Sequence, residues 1–561
     1  MSSKHRTRSQ RPPARTVAPR PAKKVNEALL LAVMLAVGFV LFGIVSVSLG
    51  QDNNWDLRNY HYYNPYAFLT GRLGFDMAPA QMQSYFNPVS DLLYYFLMNH
   101  ARPWWLGFIM GGLHGLALGL IVLIAYCSLA AMERWARVGL SLLCAGVGLY
   151  GPIFIGELGA SENDTTLSLL VLGAVLILLR HLGKRESLTG KPGLIALTLA
   201  GAFVGLATGL KETVAVYAVG MAAALAVIER SWSGRVRAIA VWAGALLIAF
   251  LLIRGFWLVE LQNHFANPLF PYFNNIFHSP WVEAQSWADP RYMPASLGEA
   301  LVRPFMYVAK NQFTSFSNDF RDARYAVIYA LALAALVTWY VRRSKKSKAA
   351  SRDEQAGRNP IRFFLIVFFV VTYVVWQLEF SIIRYIPTLE VLGPLLILLL
   401  TLYLTRRKWL QTLIVVGAFL FIVVDMQALN YNRMDRLTWS AKFWDVEVPH
   451  LSDPDHTVVL IAGGRPWSYL VPFFPPGTRF VRVESNFTNP RSPTRMQEEI
   501  RSILAAHQGP FFLLSRPQYL TANNDVLKAY QLAASSQSPQ PIRSRHEPPG
   551  LYLFSVTRSS S

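Results

Sequence analysis

Residues 28–50 read ALLLAVMLAVGFVLFGIVSVSLG, an apolar run without a single charged side chain. In water every side of such a helix would need cover. In a bilayer it needs none, and roughly 20 apolar residues suffice to cross the hydrocarbon core. The preceding tail is rich in arginine, proline and serine, with Lys23 and Lys24 at its edge. A cleaved secretory leader has a shorter apolar core, so the run reads as a retained helix with a cytoplasmic N-terminus.

Ten further blocks of the same kind follow: Trp104–Ala130, Val138–Phe154, Thr165–Leu179, Leu194–Gly209, Val214–Ile228, Ala238–Leu258, Tyr325–Val341, Phe363–Trp376, Ile386–Leu404 and Leu413–Asp425. The expectation is an all-α polytopic membrane protein of about eleven transmembrane helices. Composition agrees: 53% of the 561 residues are hydrophobic and only 15% are charged. The net charge of +20 would suit a nucleic-acid partner, but its placement argues for none. Lysine and arginine gather in the tail and in the short stretches Glu133–Arg137, Arg180–Lys191, Arg230–Arg237, Arg342–Arg362 and Arg406–Lys408. Alternation from a cytoplasmic N-terminus puts all of these on one side, the positive-inside pattern. The longer segments 51–103 and 259–324 and the C-terminal part then fall outside the membrane on the opposite side. Cys127 and Cys144 lie in or beside apolar stretches and read as core residues, not as a disulfide or a metal site.

Gly193–Glu229 would be about 55 Å long as one helix, too long for one span. It is expected to break at Gly209–Thr213, leaving Lys211 and Glu212 at an outer turn. Past about Asn430 the pattern changes. Short β-rich runs at Thr457–Ala462, Arg479–Val483, Pro510–Leu514 and Leu551–Ser555, with helices at Gln497–Ala506 and Asp525–Ala533, predict a small extracytoplasmic α/β domain. Its turn Ala462-Gly463-Gly464-Arg465 lacks the glycine spacing of a nucleotide loop and reads as an ordinary turn. The domain plan is a basic tail over 1–27, a transmembrane domain over 28–429 and the outer domain over 430–561.

An ionised group is costly within a bilayer, so charges at helix ends carry information. Asp52, Asp56 and Arg58 follow the first span. Glu157, Glu162 and Asp164 follow the third, and Lys211 and Glu212 sit at the break. Arg254 lies near the end of the seventh span, and Glu379, Arg384 and Glu390 surround the ninth and tenth. Several chain segments thus bring opposite charges to one membrane face. The loop from Trp55 to Asp91 mixes tyrosines with Asn, Gln and Asp, a composition suited both to sugars and to the membrane interface.

Three motifs resemble those of the C-type (GT-C) membrane glycosyltransferases, notably the bacterial aminoarabinose and mannosyl transferases. They are Asp56 followed by Tyr60, Ala67, Leu69 and Gly71; Gly205-Leu206-Ala207-Thr208-Gly209-Leu210-Lys211; and Arg384-Tyr385-Ile386-Pro387. Asn267-Pro268-Leu269-Phe270-Pro271 is similar too. The sequence departs from the family pattern where Leu57 follows Asp56 and Glu212 follows Lys211.

The resemblance implies an inverting enzyme of the bacterial inner membrane. It would move a sugar from a polyprenyl-phosphate carrier to a cell-envelope glycan, lipid or protein on the outer face. Asp56 would be the general base. Lys211 and Arg384, with Arg58 in reserve, would hold the donor phosphate. Glu162, Asp164, Tyr60 and His61 would support the acceptor. No cofactor is expected; if a divalent magnesium or manganese ion took part, Asp56, Glu162 and Asp164 are the carboxylates that would meet it. The alternative reading is a transporter or flippase of lipid-linked sugars.

Overall fold

The structure, a computed structural model, describes residues 26–308, 320–344, 359–427 and 436–559. The expected tail over 1–27, except its last two residues, and most of the basic stretch Arg342–Arg362 lie outside the described residues.

Each apolar block forms a helix. They are α1 (Glu27–Leu49), α2 (Pro103–Ser128), α3 (Arg134–Leu149), α4 (Asp164–Gly183), α5 (Lys191–Leu210), α6 (Ala215–Ile228), α7 (Trp232–Phe265), α8 (Arg324–Ser344), α9 (Pro360–Glu379), α10 (Pro387–Leu404) and α11 (Lys408–Gln427). Among the described residues nine are long and apolar enough to cross a membrane. The other two are α3 and α6, with 16 and 14 residues. At 1.5 Å per residue they fall short of a hydrocarbon core of about 30 Å. Each is extended by a short helical segment, Pro152–Glu157 after α3 and Glu212–Val214 before α6. The chain is a multi-pass helical membrane protein.

Helix α5 ends as its sequence requires, because Lys211 takes an extended conformation (φ −149°, ψ 122°). The glycines of the preceding motif serve close packing. A Cβ at Gly205 would lie 2.2 Å from the Leu246 carbonyl oxygen on α7, and one at Gly209 would lie 2.1 Å from Ile253. Small residues at this spacing let two membrane helices approach backbone to backbone. Helix α7 has 34 residues, about 51 Å, and runs well past any bilayer. The expected end near Leu258 is therefore corrected: Arg254 is an interior residue of α7 and is buried.

The C-terminal segment forms one seven-stranded sheet: β1 (Val446–Glu447), β2 (Val458–Ala462), β3 (Arg479–Glu484), β4 (Phe511–Ser515), β5 (Leu532–Ala534), β6 (Gln540–Ser544) and β7 (Leu551–Arg558). The order is β1-β6-β7-β4-β2-β3, with β5 on β7. Strands β3, β2 and β4 are parallel and the rest antiparallel. Two helices lie in this segment, α12 (Arg495–Ala506) and α13 (Leu520–Lys528). The expected helix Asp525–Ala533 begins earlier and gives way to β5, whose pairing with β7 overrides local propensity.

Alternate residues of β2 enter different cores. Val458, Leu460 and Ala462 pack with Ile500 and Leu504 of α12. Val459 and Ile461 pack with Leu57, Tyr60, Tyr62 and Tyr63 of the loop after α1. That loop is held to the sheet segment by backbone pairing too: Gln51 with Leu437, and Met77 with Val481 of β3.

Candidate active site

Asp56 enters a helical turn, Leu57–His61, in the loop after α1. Arg384 lies in the short turn Ile383–Tyr385 that leads into α10. The two sites are 328 residues apart in sequence, yet Arg384 Nη1 donates to Asp56 Oδ2 at 2.5 Å. The same guanidinium is 3.9 Å from Glu162. Lys211 does not pair with the adjacent Glu212. Its Nζ donates to Asp164 at 2.8 Å, and Glu212 pairs with Arg254. Tyr385 stands between the two cations: its ring centroid is 5.3 Å from Lys211 Nζ and 5.5 Å from the Arg384 guanidinium carbon.

The local folding is legible in hydrogen bonds. Asp164 lies in the first turn of α4, where the helix dipole favours a carboxylate. The last carbonyls of α5 lack helical partners. Gly209 O receives Asn87 Nδ2 at 2.9 Å and Arg254 Nη1 at 3.4 Å, which fixes the end of the helix just before Lys211. Asn54 ties the loop to the segment before α4 by donating to Glu162 Oε2 (2.8 Å) and Ser161 Oγ (3.0 Å). Asp52 accepts from Ser161 N at 2.8 Å. Asp91 faces His61 Nδ1 at 2.7 Å and accepts from Asn163 Nδ2 at 2.6 Å. Tyr60 stacks near His61 and meets Phe86 edge-on.

These contacts set the protonation states. Burial opposes ionisation of Asp56, but the charges of Arg384, His61 and Lys211 outweigh it and hold the carboxyl below its usual range. Burial and the neighbouring Asp52 push Glu162 up to about 7. Burial disfavours the charged His61, yet Asp91 raises it overall; Asp164 does the same for Lys211. Arg384 stays cationic, because Asp56 and its other neighbours outweigh its desolvation. One of its donors, Nε, is buried with no hydrogen-bond partner among the described residues.

Arg58 is directed elsewhere. Its guanidinium donates to Glu547 (2.7 Å) and to the His546 carbonyl (3.0 Å). Asp56, Glu162 and Asp164 do not gather: the first two share Arg384 and the third is held by Lys211. Among the described residues no three His, Cys, Asp or Glu side chains are grouped to hold a metal ion. Glu390, expected among the site charges, instead accepts from the backbone amides of Ile153 and Phe154, both at 2.8 Å. Sequence reasoning gave no role to Asn54, Asn163 or Glu547. Each acts on a segment distant in the chain, and no local pattern marks such residues.

The chain is a multi-pass membrane protein with a half-buried, oppositely charged cluster at the end of the bundle that carries the sheet. No protein-family model matches it, and no curated protein matches it. Among solved structures it is similar to ArnT from Cupriavidus metallidurans in the apo state. The TM-score is 0.46 and the identity 13%, over 94% of this chain and 97% of that one. The structure of the same ArnT bound to undecaprenyl phosphate gives a TM-score of 0.44 and 12% identity over the same shares.

Proposed function

We propose that this protein is an inverting membrane glycosyltransferase. It moves a sugar from a polyprenyl-phosphate carrier to a cell-envelope acceptor on the outer face of the bacterial inner membrane. The observation that carries the reading is the pair of cations flanking Tyr385. Among the described residues Arg384 and Lys211 donate hydrogen bonds only to carboxylates, and Arg384 keeps a buried donor unused. A phosphate oxygen is the acceptor such donors lack.

The chemistry follows. The acceptor oxygen attacks the anomeric carbon as its proton passes to the Asp56 carboxylate. The bond from that carbon to the carrier phosphate breaks, and its electron pair leaves on the phosphate. Arg384 and Lys211 stabilise the departing anion, which needs no acid. One displacement inverts the anomeric centre. Arg384 also controls the base. While it pairs with Asp56 the carboxyl is a poor proton acceptor; a donor phosphate competes for the guanidinium and raises the basicity of Asp56. Tyr60, His61 and Glu162 line the acceptor side, and Asp164 holds Lys211 in place.

The test is incubation of the purified protein with radiolabelled polyprenyl-phosphate sugars and a cell-envelope extract. Label should move to an envelope component with the wild type and not with Asp56→Asn. Absence of transfer from every donor, with lipid-linked sugar crossing vesicles instead, would favour the transport reading. Orientation has its own test: reporter fusions at Arg185 and Arg235 should report the cytoplasm, and fusions at Gln285 and Ala505 the outside. One reversal removes the shared face on which the mechanism depends.

A further inference from the structure

Asp56 and His61 are five residues apart, a spacing that an α-helix turns to different faces, about 140° apart at 3.6 residues per turn. The turn Leu57–His61 is instead π-helical, and Asp56 enters it already in helical conformation (φ −66°, ψ −40°). A π-helix closes its hydrogen bonds between residues five apart, and such single turns recur at functional sites. The wider turn brings residue 61 back over residue 56. Electrostatics agree with that placement. Burial opposes the charge of Asp56; among the cations that offset it, Arg384 acts most strongly and His61 next, ahead of Lys211.

The imidazole is fixed and oriented. Its Nδ1 lies 2.7 Å from Asp91 Oδ1, and a carboxylate only accepts, so Nδ1 carries a hydrogen. Asp91 is itself held by Asn163 Nδ2 at 2.6 Å, just before α4. The Tyr60 ring lies 4.1 Å from the imidazole, centroid to centroid. The side chains of His61 and Asp91 are only 3% and 2% exposed. Burial disfavours the charged ring, but Asp91 and then Asp56 outweigh it. The cation carries its second hydrogen on Nε2, and that atom is buried with no hydrogen-bond partner among the described residues. A histidine that served only to brace Asp91 would not need a second buried donor, which is costly to leave unpaired.

The missing acceptor is one turn away. Arg384 holds Asp56 in this structure. When a phosphate takes that guanidinium, the carboxylate loses its hydrogen-bonded partner in a site where a bare charge is costly. We propose that His61 is a positioning residue: the carboxylate released by Arg384 passes to His61 Nε2, which holds it ionised and in place while the phosphate is bound. The two cations then serve one carboxylate in turn, and Asp91 is what keeps the second of them charged. The proposal rests on the reading of Arg384 as a phosphate-binding group, and not on sugar transfer itself.

The experiment measures binding of undecaprenyl phosphate to the full-length protein in detergent, as a double-mutant cycle. His61→Gln keeps an amide donor for Asp91 but loses the charge. It should weaken binding by about tenfold or more, the value of a charge-assisted hydrogen bond. In the Asp56→Asn background the same substitution should change binding by less than about twofold, because no carboxylate is left to pass on. A loss that persists in Asp56→Asn means that His61 meets the phosphate itself, and it overturns the proposal. Asp91→Asn is the second variant: it keeps the contact with Nδ1, removes the charge that holds the imidazolium, and should weaken binding at about pH 8 more than at about pH 5. Unchanged affinity in both His61→Gln and Asp91→Asn overturns the proposal. The pH profile of the wild type is a separate readout. Asp56, Asp91, Glu162 and Lys211 are the charged groups facing His61. The imidazolium is present below its pKa and lost above it, so wild-type affinity relative to His61→Gln should fall as pH rises from about 6 to about 9. Parallel profiles overturn the proposal. Coupling of His61 to Asp56 in a protein that transfers no sugar would support the hand-over and fail only the transferase reading. A wild-type protein that binds no undecaprenyl phosphate fails both.

Discussion

Arg324 and Arg384 are both guanidinium groups facing carboxylates near the same helices, yet they are wired differently. Arg324 is fully buried, pairs with Asp322 at 2.9 Å, and donates to the carbonyls of Glu390 (2.6 Å) and Gly148 (3.4 Å). Glu390, beside it, caps the helical segment starting at Pro152 with its carboxylate. In that cluster each charged side chain hydrogen-bonds to backbone, with Asp322 Oδ2 alone left unpartnered among the described residues, so the cluster joins α8, α10 and the end of α3. Among the described residues Arg384 makes no hydrogen bond to backbone. It and Asp56 hold each other, and their side chains remain 19% and 14% exposed. A charge that satisfies backbone cannot be released without leaving a buried polar group bare. A charge that satisfies only another side chain can change partners when a ligand arrives. The first wiring is architecture, and the second is what a binding site requires.

The largest expected effect tests the architectural side. Arg324→Ala leaves Asp322 buried and unpaired and should destabilise the protein by about 3–5 kcal/mol. Thermal unfolding or detergent-stable yield measures it. A variant as stable as the wild type would erase the distinction between the clusters.

Next comes the base. Asp56→Asn keeps size and hydrogen bonding but removes the proton acceptor, so transfer should fall by about 10² or more. Folding and carrier binding should be nearly intact. Near-normal turnover in Asp56→Asn, with loss in Asp52→Asn or Asp164→Asn, would move the base to another carboxylate.

A smaller change is expected for the donor cations. Arg384→Ala and Lys211→Ala should each weaken binding of the polyprenyl-phosphate sugar by about tenfold or more, the value of a charge-assisted hydrogen bond. If both variants bind the donor normally and only lose stability, the pair belongs with the architectural cluster after all.

The smallest effect is in pH dependence. Glu162 holds its proton in the folded protein up to about 7, against an ordinary value of 4.5. The unfolded chain therefore releases this proton first, and stability falls as pH rises between those values. Glu162→Gln has no proton to release. Its melting temperature relative to wild type should be higher at about pH 8 than at about pH 5. A constant difference would show that Glu162 ionises freely in the folded protein.

How far the sequence reached depends on the kind of contact involved. Asp56, Lys211 and Arg384 could be placed at one end of the bundle from the chain alone, because a bilayer forces charge to helix ends and the basic loops number the crossings. The break after Gly209 was legible for the same reason, since a helix longer than the membrane must turn. The four core strands showed in their β-rich runs. The expected end of the seventh helix was wrong because hydropathy stops at the membrane edge, whereas α7 continues to Phe265 under the cover of the sheet core. Partner choice lay beyond the sequence altogether. Lys211 takes Asp164 over its own neighbour Glu212, and Arg58 takes Glu547 from the far end of the chain. Hydropathy and charge order are one-dimensional properties, written residue by residue, and they determine which groups reach the membrane surface. Which of those groups touch is set by how α4, α5, α10 and the sheet pack together, and that packing exists only once segments hundreds of residues apart share one core.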